Sequence, residues 1–162
     1  MAPVRIDAMN AGDLAAVAGI DGATRMDEAQ LKDELARTWS RLWVAREDGD
    51  GVVAFLVSWH VADELHVLNV ATRENRRRRG IGRALMDVVI AYARREHVKH
   101  VLLEVRRSNA AAIALYRSVG FFAMGVRAKY YPDDEDAVEM VLLLDPATGA
   151  VVAHDDEVRL DS

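Results

Sequence analysis

Arg77-Arg78-Arg79-Gly80-Ile81-Gly82-Arg83 is the stretch of this 162-residue chain whose residue types say most about chemistry. Two glycines let a backbone come close to a ligand, so that successive N–H groups can point at one place. The loop runs into a helical pattern, and the start of a helix adds partial positive charge. A pyrophosphate is its natural occupant. Glu104 is the second candidate. It interrupts the apolar run Val101-Leu102-Leu103, where burial would raise a carboxyl pKa toward neutrality and make the group a proton acceptor. From spacing alone, a strand-end carboxylate paired with Arg106 or Arg107 is the better reading. Tyr116 lies on the helical stripe Ile113, Tyr116, Val119, by pattern a core aromatic. Tyr130 and Tyr131, ahead of the acidic residues 133–136, read as alternate strand tyrosines. His97 and His100 lack further ligands, and no metal is assigned.

Composition narrows the classes. The chain carries 21 Lys+Arg against 26 Asp+Glu, a net charge of −5, and no cysteine. Disulfides, thiolate metal sites and a cysteine nucleophile are excluded. An apolar share of 51% excludes a wholly disordered chain, and the length suits one domain. No apolar run approaches the ~18–20 residues that cross a bilayer. The start lacks the basic-then-apolar layout of a secretory signal, so a cytoplasmic protein with no membrane association is expected. Between Arg73 and Arg107 lie eleven of the 21 cations and only four acids, Glu74, Asp87, Glu96 and Glu104. A local cationic patch on an acidic protein suggests a small anionic ligand more than a polyanion.

The elements that must position these groups follow from apolar spacing. Strands are expected at 4–7, 42–46, 52–61, 65–71, 100–105, 121–131 and 137–144. Helices are expected at 13–20, 28–38, from 81 to about 97, and at 110–119, the last capped by Ser108 or Asn109 and closed by Gly120. Residues 47–51 form a hairpin turn around Asp-Gly. The strand at 65–71 is apolar on both faces and should be central. This order implies an α/β fold with a single mixed, mostly antiparallel sheet of six to seven strands and helices on both faces. The unit from 65 to 105 should be parallel and right-handed. Residues 1–145 form the domain, and 146–162 an acidic tail for which the pattern suggests no partner. Within it, 150–152 and 158–160 either pair as a hairpin or stay disordered.

Three known phosphate loops compete for residues 77–82. A Walker loop is excluded, because no Lys-Ser or Lys-Thr follows the second glycine. A dinucleotide fingerprint needs a third small residue where Leu85 stands; Glu104, about 20 residues on, favours it, but no second nucleotide-binding half follows. The third is the Arg/Gln-x-x-Gly-x-Gly/Ala loop, matched by Arg77-x-x-Gly80-x-Gly82. With it come Leu68-Asn69-Val70-Ala71-Thr72 upstream and, downstream, Leu103-Glu104-Val105-Arg106 leading through Asn109, Ala112, Leu115-Tyr116 and Gly120-Phe121. Together these closely resemble the GCN5-related N-acetyltransferase family. Tyr130-Tyr131-Pro132, then Glu135-Asp136-Ala137, is similar to that family's protein N-terminal acetyltransferases of the RimI type, which act on the N-terminal alanine of a ribosomal protein. The close likeness covers roughly residues 65–144.

The resemblance implies the family's fold, acetyl-CoA as cosubstrate, and direct attack by an amine in a ternary complex. It assigns coenzyme binding to Val70, Ala71, Thr72, Arg77, Arg78, Arg79, Gly80, Ile81, Gly82 and Arg83, with Asn109 on the pantetheine arm. The Val70 amide or its neighbour would polarise the thioester carbonyl. Glu104 becomes the base, Tyr116 the acid that protonates the thiolate, and Tyr130 and Tyr131 a wall over the substrate peptide. The chemistry suits a terminal amine. An α-amine of pKa ~8 is about a tenth neutral at pH 7, whereas a lysine amine of pKa ~10.4 is neutral in under one part in a thousand.

One segment departs from the RimI type: Arg25-Met26-Asp27 stands where those enzymes carry an aromatic-proline-hydroxyl part of the substrate wall. The expected acceptor is a protein N-terminus, with a ribosomal protein as candidate. The alternatives are a small-molecule amine, or a non-catalytic coenzyme A or nucleic-acid binder. Direct nucleic-acid binding is not expected, since no aromatics accompany the arginines, and the chain should be a monomer or homodimer.

Overall fold

The computed structural model describes residues 3–20 and 26–160. In chain order they form β1 (Val4–Ala8), α1 (Leu14–Ala18), α2 (Glu28–Ala36), β2 (Ser40–Glu47), β3 (Gly51–Val61), β4 (Glu64–Thr72), α3 (Ile81–Arg95), β5 (His100–Arg106), α4 (Ala110–Ser118), β6 (Phe122–Arg127) and β7 (Ala137–Leu143). Short 3-10 turns precede α1 and follow β4. The strands make one mixed seven-stranded sheet in the order β1-β2-β3-β4-β5-β7-β6, as expected, with β4 in the middle. The expected strand at 121–131 stops at Arg127, because Lys129 adopts a left-handed φ of 54° and breaks the ladder before the tyrosines.

By compactness the chain divides into two units, one of Met1–Val61 and Val67–Ala91, the other of Ala62–His66 and Tyr92–Ser162. In the first, β1, β2 and β3 form an antiparallel meander. A turn with Gly49 at φ 87° joins β2 to β3. The apolar faces of α1 and α2 (Leu14, Val17, Leu31) share one cluster with Leu42, Val44, Phe55 and Val57. Each such fully buried side chain contributes roughly 1.5–3 kcal/mol. Asp27 starts α2 by a capping box with Gln30. Arg46 grips Asp13 with two bonds of 2.6 and 2.8 Å and also reaches Asp7. Hydrogen bonding to Arg46 holds the Asp13 carboxyl below its usual pKa. Met26 packs against the cluster; Arg25 lies outside the described residues.

In the second unit β7 pairs antiparallel with both β5 and β6. The apolar run at 100–105 is a strand as expected, but only one side of it is buried: Val101, Leu103 and Val105 are buried, while His100, Leu102, Glu104 and Arg106 lie half-open. In the same way β4 buries Leu65, Val67, Asn69 and Ala71 but leaves Leu68 42% exposed, so it is not apolar-buried on both faces. Asn109, rather than Ser108, caps α4, its Oδ1 accepting from the Ala112 N–H. Gly120 closes that helix at φ 112°, where an added Cβ would sit 2.9 Å from Val151 and 3.0 Å from Leu142.

The acidic tail is tied down after all. Val151 bridges to Leu144 rather than to residues 158–160. His154 stacks on Phe122 at 4.3 Å, and Asp156 binds both Arg117 and the Ala123 N–H. The Glu157 N–H donates to the Ala123 carbonyl, and Arg107 donates to that of Leu160.

Candidate active site

In the first unit, the segment before α3 is pinned by Arg76, whose guanidinium binds Glu47 at 2.9 and 3.0 Å and also Asp50. Arg77 donates from Nε to the Thr72 carbonyl at 3.2 Å, folding the loop back on the end of β4. Arg78 then takes φ 64° and Gly80 φ 77°. A non-glycine residue in the left-handed region is uncommon, and such strain gathers at functional loops. The Ala84 N–H donates to the Gly80 carbonyl, closing the first turn of α3, so the amides of Ile81 and Gly82 precede the helix's own hydrogen bonds. A Cβ at Gly80 would meet no protein atom within 4 Å. The backbone is thus open on that side, and its residues fit a pyrophosphate group.

The second unit gathers a carboxylate and three phenols. The two arginines nearest Glu104 in sequence are engaged elsewhere. Arg106 donates to Asp133 at 2.9 Å and Glu135 at 3.1 Å and lies 4.1 Å over the Tyr131 ring, while Arg107 holds Asp136. Glu104 instead stands 3.7 Å from Arg127. Its side chain is 29% exposed, so the expected burial is not found: Glu104 sits on the open face of β5. The carboxylate of Glu104, then partial burial, raises the Tyr130 pKa. Tyr131 is buried, and burial followed by the charge of Glu104 pushes its phenol up to about 12. Tyr116 occupies the core position its stripe predicts, tilted 5.7 Å from Phe121. Burial, then the neighbouring Tyr131, moves it up to about 12. All three phenols are neutral hydrogen-bond donors at physiological pH.

The unit sets Glu104 near Arg127 and Tyr130 edge-on to Tyr131 at 5.1 Å, and it takes the two wall tyrosines off the strand. Val70 and Thr72 are half-exposed in β4, Ala71 is buried, and Arg79 and Arg83 are exposed beside the glycines. Sequence reasoning passed over Arg127 and Glu139. The signal for Glu139 was present: it interrupts the apolar strand 137–144 just as Glu104 interrupts its own.

The family model for the acetyltransferase (GNAT) family matches residues 14–121, and the chain belongs to that family. It is 43% identical over 94 residues to the [ribosomal protein bS18]-alanine N-acetyltransferase of Escherichia coli K12, a match covering 56% of this chain and 64% of that relative. The match thus spans just under two thirds of that relative's length. Over 116 residues it is 34% identical to the mycothiol acetyltransferase of Beutenbergia cavernae, covering 67% of this chain and 38% of the other. The crystal structure of the ribosomal-protein-S18-alanine N-acetyltransferase from Escherichia coli superposes with a TM-score of 0.79 at 30% identity, covering 97% of this chain and 99% of that one.

Proposed function

We propose that this chain is an acetyl-CoA-dependent Nα-acetyltransferase acting on a protein N-terminus, with a ribosomal protein as the candidate acceptor. What supports the reading is the open glycine-arginine loop before α3, with Arg78 and Gly80 at positive φ, together with Glu104 on the open face of β5, in a member of this family. Residues 1–145 are the acetyltransferase domain and 146–162 its tail. A cytoplasmic location goes with a ribosomal acceptor.

Acetyl-CoA, when bound, supplies the activated acyl group and a thiol leaving group. The amides around Gly80, Ile81 and Gly82 hold the pyrophosphate, Arg77, Arg78, Arg79 and Arg83 add cationic charge, and the Asn109 side chain hydrogen-bonds the pantetheine arm. Main-chain groups of Val70, Ala71 and Thr72 line the acetyl position, and the Val70 amide polarises the carbonyl. Glu104 takes the proton of the attacking amine, directly or through water. Tyr116 donates a hydrogen bond to the departing sulfur, and Tyr130 and Tyr131 confine the acceptor peptide. Without cysteine, no acetyl-cysteine can form.

The likeness to a mycothiol acetyltransferase favours a second reading, a small-molecule amine acceptor. Calorimetry with acetyl-CoA, followed by a panel of N-terminal peptides and free amines scored by thiol release and mass spectrometry, separates the two. Acetylation of peptide α-amines is the expected result, and activity confined to small amines refutes the peptide reading. Salt-sensitive RNA retention that coenzyme A fails to displace would favour a nucleic-acid binder instead.

A further inference from the structure

Glu139 has no part in the chemistry above, yet its position is unusual. On the antiparallel ladder of β5 and β7 it stands directly opposite Glu104. Like charges facing each other across strands destabilise a sheet. Three features of β6 and the turn after it accommodate the pair. Opposite Glu139 lies Gly125, where an added Cβ would come within 3.1 Å of the Glu139 carboxylate. Arg127 closes tightly on Glu139 from Nε while keeping only a 3.7 Å contact with Glu104. The same guanidinium lies 5.7 Å from the centre of the Tyr130 ring, and the carboxylate of Glu104 raises that phenol's pKa. One cation is thus shared unequally between two carboxylates, and the share of Glu104 is the smaller.

We propose that Glu139 and Arg127 are positioning residues for Glu104: Glu139 anchors the guanidinium, so that Glu104 is oriented by a distant cation without being consumed in an ion pair. A base locked in a close arginine pair offers the acceptor amine fewer lone pairs and less driving force for proton transfer, whereas one with no cation nearby faces a second carboxylate unscreened. The arrangement lies between these extremes. The inference rests on Glu104 being the base.

The test uses changes to uncharged glutamine and reads kcat, acceptor KM and acetyl-CoA affinity together. Glu139→Gln removes the anchor and frees Arg127 to close on Glu104. The expected result is a fall in kcat of roughly tenfold with acetyl-CoA Kd within twofold of wild type. Adding Arg127→Gln takes away the freed cation, so the double variant should be several-fold faster than Glu139→Gln alone. A merely structural role predicts the reverse, since a second lesion in the same strands slows the enzyme further. Thermal melts of all variants establish that each is folded. A double variant as slow as Glu139→Gln, or a Glu139→Gln variant at wild-type rate, overturns the proposal. Glu104→Gln runs in parallel: near-normal turnover there removes the base and both readings fall. A slow Glu104→Gln beside an unaffected Glu139→Gln condemns the anchor alone.

Discussion

Tyr116→Phe tests the buried phenol in two ways. The hydroxyl is part of a side chain only 5% exposed, and its pKa is raised from 10.0 to about 12, first by burial. Below pH 10 the phenol is neutral in both the folded and unfolded chain. Above it the unfolded chain ionises while the folded one resists, so stability is lost as pH rises through about 12. Two units correspond to about 2.7 kcal/mol in full, of which about 1.4 kcal/mol is lost by pH 11. Urea melts at pH 8 and pH 11 should therefore show wild type losing about 1.4 kcal/mol more than Tyr116→Phe over that interval. The contribution of Tyr131 is common to both proteins and cancels. Equal losses would refute the assignment.

The same number limits the catalytic role. Handing a proton from a phenol near 12 to a thiolate near 8.5 is uphill by about 3.5 units, roughly 4.8 kcal/mol. Tyr116 is therefore better suited to stabilise the developing thiolate through a hydrogen bond than to surrender its proton outright. Tyr116→Phe should lower kcat by about 10²-fold, at the weak end of acid–base effects, with little change in acceptor KM. A wild-type profile free of a basic limb below pH 10 fits this, and a Tyr116→Phe enzyme at full rate overturns it.

Gly80→Glu should abolish acetyl-CoA binding in calorimetry by putting a negative charge in the phosphate loop; the protein should stay folded but lose about 1–3 kcal/mol in a denaturant melt, because the position has φ 77° even though an added Cβ meets no protein atom within 4 Å. A retained micromolar Kd would argue against that loop. Gly120→Ala should cost about 2–3 kcal/mol in a denaturant melt, from a φ of 112° together with close contacts to Val151 and Leu142; a change below 0.5 kcal/mol, on the scale of neutral surface substitutions, would contradict it. Asp156→Asn should lower Tm by roughly 2–4 °C at pH 7. Hydrogen bonding to Arg117 lowers the Asp156 pKa, so its contribution is present above the ordinary value of 3.8 and lost as pH falls below it. The gap in Tm should close in the most acidic melts.

Local patterns carried most of the architecture. Apolar spacing placed α3 and β7 nearly to the residue, and Gly120 and the Asp-Gly turn ended their elements for stated steric reasons. What failed were features set by contacts distant in sequence. The surroundings of Glu104 depend on the register of β5 with β7 and of β7 with β6, which brings Glu139 and Arg127 to it from 23 and more positions away. Arg106 and Arg107 stood nearer in sequence, but they are occupied by Asp133, Glu135 and Asp136. The alternating pattern 121–131 concealed its break because nothing in Lys129 announces a positive φ. The tail held its partners singly and at long range, a kind of contact with no periodicity to read.

That tail guards the rim of the molecule. The outermost strand of any sheet offers bare amides and carbonyls to passing chains, and unprotected rims seed aggregates. Here Asp156 and Glu157 occupy the N–H and C=O of Ala123 on β6. Proteolytic trimming just past Leu144 would leave that border sticky, and the shortened protein should cloud at concentrations the intact one tolerates.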